Sequence, residues 1–192
     1  MPRPLVANRR ERILDAAEQL VLAAGFDSVS VSTIAARAGI GKGAIYLEFT
    51  SKRDVLDALL LRSTERLRAR VDSELGEDPR LSDAYRCAVR ALLDDPLMTA
   101  AFLDDRGVLG RHVETVTDGR YLARHRGVVE WLRHLQARGA LAGDVDPEHL
   151  AIALSSATIG LLSASRLIGP LNATQLEGAV EALARMVSAF EA

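Results

Sequence analysis

Residues 30–49 read SVSTIAARAGIGKGAIYLEF, and this stretch decides the fold. Val31, Ile34, Ala35 and Ala38 recur at the three- and four-residue steps that put side chains on one face of a helix. Ser30 precedes them as an N-cap residue, since a serine hydroxyl accepts from a backbone N–H of the first turn. Gly39 ends the run and supplies the positive φ that a tight turn needs. A second helix is expected over 42–49, with Ile45 and Phe49 one turn apart. Helix, glycine turn and helix make a helix-turn-helix layout. Val31, Ile34, Ala35, Ala38, Ile40, Ile45 and Phe49 should pack the pair together and onto a preceding helix. Lys42, Gly43, Ala44, Tyr46 and Leu47 are left near the outward face of the second helix. A helix presented this way fits the major groove of DNA, with its first residues at base edges. Gly43 and Ala44 permit close approach, Lys42 reaches a phosphate or a guanine edge, and Tyr46 donates its hydroxyl to phosphate.

Working outward, a helix is expected over 9–24, with apolar residues at Ile13, Leu14, Ala17, Leu20, Val21 and Ala24. Asn8 and Glu11 have capping-box spacing, and Gly25 is placed to end the helix. Ser51 and Asp54 repeat the box before a long helix that runs to about residue 75. Further helices are expected over about 81–94, 96–105, 118–138, 147–168 and 174–189, while 107–117 stays ambiguous. Asp146 followed by Pro147 is a favoured helix opening. No stretch alternates with period two, so the reading is all-α.

The charge pattern agrees with a DNA-facing N-terminal part. The chain of 192 residues has a formal net charge of -2, yet residues 1–55 carry +2 and the remainder -4. Phosphate contacts need local cations and not a global excess. Lys42 and Lys52 are the only lysines, and both fall beside the motif. Each assignment has a plainer alternative. Tyr46 could be a half-buried packing residue, the two lysines could be solvated, and Arg9, Arg10 and Arg12 could form an unpartnered helix face.

The segment 9–60 resembles the DNA-binding domain of the TetR family of repressors. The resemblance rests on ILDAAEQLVLAAGFDSVSVSTIAARAGIGKGAIYLEFTSKRDVLDALL, with Ala38-Gly39 as the turn, Lys42-Gly43 opening the next helix, Tyr46 and Phe49 three apart, and Lys52 opening helix four. It implies an all-α fold of nine or so helices: an N-terminal three-helix DNA-binding domain over 1–55, then a ligand-binding and dimerisation domain over 56–192. The implied DNA contacts are Ser30, Ser32, Thr33, Lys42, Gly43, Ala44, Tyr46, Leu47 and Lys52. The implied function is a ligand-responsive repressor that binds a near-palindromic operator in double-stranded DNA as a homodimer and is released by a small-molecule effector. Residues 137–151, ARGALAGDVDPEHLA, resemble the family's approach to its dimer helices. Two features depart from the family pattern. Gly41 stands where a serine cap is frequent, and Leu47-Glu48 replaces residues that are often basic, aromatic or histidine. Glu48 would repel phosphate unless it turns away or pairs with Arg53. These departures favour an alternative, a helical small-molecule-binding or protein-interaction module without sequence-specific DNA binding.

Beyond residue 56, small-molecule sites are mostly apolar with a few polar anchors. Candidates are Leu60, Thr64, Leu67, Tyr85, Val89, Met98, Phe102, Tyr121, Arg124, His125, Val128, Trp131, Ser155 and Thr158. Dimerisation candidates are Leu154, Ala157, Gly160, Leu161 and Ala164 on one helix and Leu176, Leu183, Met186 and Phe190 on the last. Phosphate-loop, nucleophile-elbow and metal-ligand motifs are missing, so neither an enzyme, a cofactor nor a metal is expected. With Cys87 as the single cysteine, a disulfide framework is excluded. No apolar run is long enough to span a membrane, and the N-terminal residues lack the apolar core of a secretory signal. A cytoplasmic protein is expected.

Overall fold

The computed structural model describes residues 8–76, 78–103, 105–110 and 120–192, with the side chains of Arg106, Arg120, Tyr121, Ala123, Arg124, Ser165 and Arg166 left aside. Among them are ten α-helices: α1 Arg9–Ala24, α2 Val31–Ala38, α3 Lys42–Tyr46, α4 Lys52–Leu75, α5 Leu81–Leu93, α6 Pro96–Phe102, α7 Arg106–Leu109, α8 Arg120–Ala137, α9 Pro147–Leu167 and α10 Ala173–Ser188. A short 3-10 turn, Phe26–Ser28, follows α1. The all-α expectation holds, and the helix count exceeds nine because α7 adds a four-residue helix. Most of the ambiguous stretch 107–117, and the start expected for the long helix at 118, lie outside the described residues. No helix among the described residues is long and apolar enough to cross a membrane.

The chain forms two compact units. The first holds residues 1–65 and 96–115, the second 66–95 and 116–192. The core of the first is built by Ile13, Leu14, Ala17 and Val21 of α1, Ile34, Ala35 and Ala38 of α2, Ile45 of α3, Phe49, and Val55, Leu56 and Leu59 of α4. Leu97 of α6 and Leu109 of α7 complete it. Each fully buried aliphatic side chain contributes about 1.5–3 kcal/mol against exposure. Gly25 ends α1 at φ 74, its N–H donating to the Val21 carbonyl at 2.9 Å. A side chain there would also collide with the Gly107 carbonyl, so backbone lies directly on backbone where α7 meets this turn.

The start of α1 departs from the sequence reading. Asn8 is left-handed at φ 60 and its side chain caps nothing. Glu11 does not close a capping box because its carboxylate pairs with Arg62 at 2.8 Å. Asp15 and Glu18 reach the same guanidinium at 2.8 and 2.7 Å. A charge-assisted pair is stronger than a neutral cap, and the three acids lie one turn apart on α1, so α4 draws them to one point.

The second unit packs Leu81, Tyr85 and Val89 of α5 with Val129, Leu132 and Leu135 of α8, Leu150, Ala151, Leu154 and Leu161 of α9, and Val180 and Val187 of α10. Asp146 caps α9 as expected, accepting from the Glu148 and His149 N–H groups at 2.7 and 3.3 Å. Backbone donors hold its carboxyl below the usual aspartate range. Asn172 and Gln175 form a full capping box on α10. Arg90 pairs with Glu177 and Glu181, and Arg86 reaches Glu181 at 2.9 Å, tying α5 to α10.

Two expected dimerisation residues prove to be core. Leu154 and Leu161 are buried within this unit, and Leu176 and Leu183 pack against the same cluster. Met186 of α10 and Phe190 just beyond it, both in the expected set, are exposed, as are Ile152, Ile159 and Leu167 of α9 and Ile168 just beyond it. Nearly every side of α9 is apolar, so the sequence left its phase open. Packing selected the 150–154–161 side for the core.

Candidate nucleic-acid interface

The turn between α2 and α3 forms as a complete C-cap. Gly39 is left-handed at φ 65, its N–H donates to the Ala36 carbonyl at 3.2 Å, and the Ile40 N–H reaches back to the Ala35 carbonyl at 3.0 Å. This is the Schellman pattern. The Ala38 carbonyl takes a hydrogen bond from the Arg12 guanidinium at 2.6 Å, so α1 closes the turn from outside. At the other end of α2, Ser30 and Thr33 make a reciprocal capping box. Both hydroxyls are thereby engaged. The Thr33 Oγ1 donates to the Ser30 carbonyl and accepts from the Ser30 N–H, at 2.8 and 2.9 Å. Of the three hydroxyls expected at DNA on this helix, Ser32 is the exposed one outside the box.

α3 is shorter than the sequence suggested, ending at Tyr46 rather than Phe49. Phe49 still donates its N–H to the Ile45 carbonyl at 2.9 Å and is buried. The helix stops because the next cap takes over: Asp54 accepts from the Thr50 N–H at 2.8 Å while its own N–H donates to Ser51 Oγ at 3.0 Å. Gly41 caps α3 without a side chain, its carbonyl accepting from the Ala44 N–H at 2.9 Å. Ile45 anchors α3 in the core, and Lys42, Gly43, Tyr46 and Leu47 are exposed, with Ala44 half-buried. Tyr46 keeps 52% of its surface and Leu47 76%, so neither is a packing residue of this unit.

Lys52 requires a correction. It was expected at phosphate, yet its ammonium donates to the Phe26 and Val29 carbonyls at 2.9 and 3.0 Å and stands 4.1 Å from the centre of the Phe26 ring. The lysine closes the end of the 3-10 turn onto α4, adding a second donor to the Phe26 carbonyl, which the Val29 N–H already reaches at 3.2 Å, and capping the Val29 carbonyl. Glu48 is also resolved differently from the expectation. It pairs with Arg9 at 3.5 Å, while Arg53 pairs with Asp57 at 3.8 Å. Arg10 stacks over Phe49 at 4.5 Å. The α1 arginines therefore brace the motif, a role that sequence reading missed because it depends on contacts 26 to 39 residues apart. Arg37, absent from the expected set, is exposed on α2 and donates to Gln19 at 3.3 Å.

The expected effector residues are divided between the two units. Leu60, Thr64, Met98 and Phe102 belong to the first unit, where the Thr64 hydroxyl donates to the Leu60 carbonyl at 2.9 Å and Leu60 and Met98 are buried. In the second unit Tyr85 and Val89 are core, Val128 and Trp131 pack against it, and Leu67 and Ser155 are half-buried. Tyr85 and Thr158 share a buried hydroxyl–hydroxyl contact at 3.2 Å, and burial pushes the phenol above its usual range. The side chains of Tyr121 and Arg124 lie outside the described residues. Among the described residues, an open cleft of about 410 Å³ along α8 and the start of α9 includes His125 of the expected set.

A trihelical unit with a glycine C-cap between two short helices, and an exposed helix held above a packed core, is a helix-turn-helix domain. Residues 13–59 match the family described as "Bacterial regulatory proteins, tetR family", so this segment carries that family's DNA-binding domain. The HTH-type transcriptional repressor KstR of Rhodococcus jostii is 36% identical over 95 residues, 48% of this chain and 45% of KstR, so the match spans less than half of that relative. The HTH-type transcriptional regulator TtgR of Pseudomonas putida is 28% identical over 80% of this chain and 78% of its own. A crystal structure of a TetR/AcrR-family regulator from Thermobifida fusca superposes with a TM-score of 0.65 at 24% identity, covering 94% of this chain and 97% of that one.

Proposed function

We propose that the chain is a transcriptional repressor that holds a near-palindromic operator as a homodimer and is released by a small-molecule effector. The observation that carries this reading is α3: Lys42, Gly43, Tyr46 and Leu47 stand exposed on a helix whose opposite side, Ile45, is 1% exposed. A short helix held rigidly from below with a bare outer face suits insertion into a major groove. DNA contacts are assigned to residues 1–55, and effector binding and dimerisation to 56–192. Ile152, Ile159, Leu167 and Met186 support self-association, since large exposed apolar side chains of α9 and α10 are of the kind that interaction surfaces bury. A dimer would present two α3 helices to half-sites roughly 34–36 Å apart. The relatives KstR, a transcriptional repressor, and TtgR, a transcriptional regulator, support the same reading. The test is salt-titrated binding to the DNA upstream of the chain's own gene. Sequence-preferring binding is expected there, and its absence both there and across the genome overturns the proposal.

A further inference from the structure

α3 contains a glycine that the protein itself does not require. Gly43 has no left-handed backbone, and a Cβ built on it meets nothing within 4 Å. Glycine within a helix costs about 1 kcal/mol relative to alanine, through the extra backbone freedom it loses. Neither packing nor φ accounts for accepting that cost, so the bare backbone serves something outside the chain. One turn further along the same face stands Leu47, 76% exposed. Lys42 flanks this face with a cation, and the acid beside Leu47 is drawn off by Arg9, 3.5 Å from the Glu48 carboxylate. A leucine has no donor or acceptor for a base edge. The apolar feature a major groove offers is the 5-methyl group of thymine.

We infer that Leu47 reads thymine through its 5-methyl group, and that the missing side chain of Gly43 lets α3 seat deeply enough for it to do so. The inference rests on the DNA-binding reading above and names the chemical feature that site selects. A cationic neighbour and a bare helix backbone suit a polyanionic groove better than an apolar protein surface.

The experiment uses the full chain and a duplex enriched by it from a randomised library. Each thymine of a half-site is replaced in turn by deoxyuridine, which lacks only the methyl, and affinity is measured by fluorescence anisotropy at fixed salt. Deoxyuridine at one or two positions should weaken binding about 4-fold, the worth of one buried methyl. Leu47→Ala should bind the thymine and deoxyuridine duplexes equally at those positions. Gly43→Ala should melt at or above the wild-type temperature and yet bind at least about 10-fold more weakly. Indifference to every deoxyuridine, discrimination that survives Leu47→Ala, or wild-type affinity in Gly43→Ala each overturn the inference. A library from which no sequence is enriched overturns the DNA-binding reading beneath it, a visibly different failure.

Discussion

Lys52→Met separates anchoring from DNA contact. The substitution keeps an apolar stem of similar length and removes the ammonium that holds the Phe26 and Val29 carbonyls at 2.9 and 3.0 Å. A hydrogen bond from a charged donor is worth about 1.5–3 kcal/mol, and the contact with the Phe26 ring adds about 0.5–1 kcal/mol. Lys52 is half-buried, so water partly replaces it and the lower ends apply. The expected loss is about 2–3 kcal/mol, or roughly 4–12 °C in melting temperature for a chain of this size. Circular dichroism melts measure the first effect. The second readout is the slope of log affinity against log salt, which falls by about 0.9 for each phosphate contact removed. Lys52→Met should leave that slope unchanged, whereas Lys42→Ala should lower it by about one contact and melt like the wild type. A Lys52 variant with wild-type melting and a reduced salt slope would refute the anchoring role and return the residue to phosphate.

Gly39→Ala places an L-residue at φ 65 and a Cβ 3.1 Å from the Arg12 guanidinium, so it should destabilise the first unit by about 1–2 kcal/mol from the backbone alone; a melt unchanged within a degree would contradict this. Ile159→Lys should convert a dimer to a monomer in sedimentation with unchanged helical content, while Leu154→Lys, at a 9%-exposed position, should unfold the second unit; a wild-type chain that sediments as a monomer at micromolar concentration removes the assigned interface. Burial of Glu191 opposes its charge, but the Ser82 N–H at 2.8 Å and Arg80 at 2.6 Å outweigh it and hold the carboxyl below its usual value of 4.5. A depressed folded-state value stabilises the protein above the ordinary carboxylate range, and the contribution is lost as pH falls through the folded value. Glu191→Gln should therefore flatten the loss of urea stability between neutral and acid pH, and an unaltered acid limb would count against the pairing.

The parts of the fold that were legible in the sequence are those set by short-range rules. Ser30, Gly25, Gly39 and Asp146 work through bonds within a few residues, and each end they define falls where local chemistry puts it. What stayed hidden depends on distant partners. Asn8 and Glu11 have the spacing of a cap, but nothing in their neighbourhood announces that Arg62 will claim the acid from 51 residues away. The effector residues illustrate the same limit. Apolar and hydroxyl-bearing side chains are as suited to core as to a cavity, and Tyr85 and Thr158 satisfy each other.

The basic charge of residues 1–55 is where sequence and structure diverge most usefully. Read as a sum, +2 looked like a phosphate footprint. Read as contacts, Arg9 neutralises Glu48, Arg10 covers Phe49, Arg12 closes the α2–α3 turn and Lys52 closes the 3-10 turn. These cations hold α3 in place more than they attract a polyanion. Lys42 then remains the exposed cation on α3 itself. Affinity built on few phosphate contacts weakens only shallowly with salt. On the proposed operator-binding reading, discrimination comes from contacts that carry no charge, for which an exposed leucine one turn from a bare glycine is suited, and from the sequence-dependent shape of the duplex between the proposed half-sites.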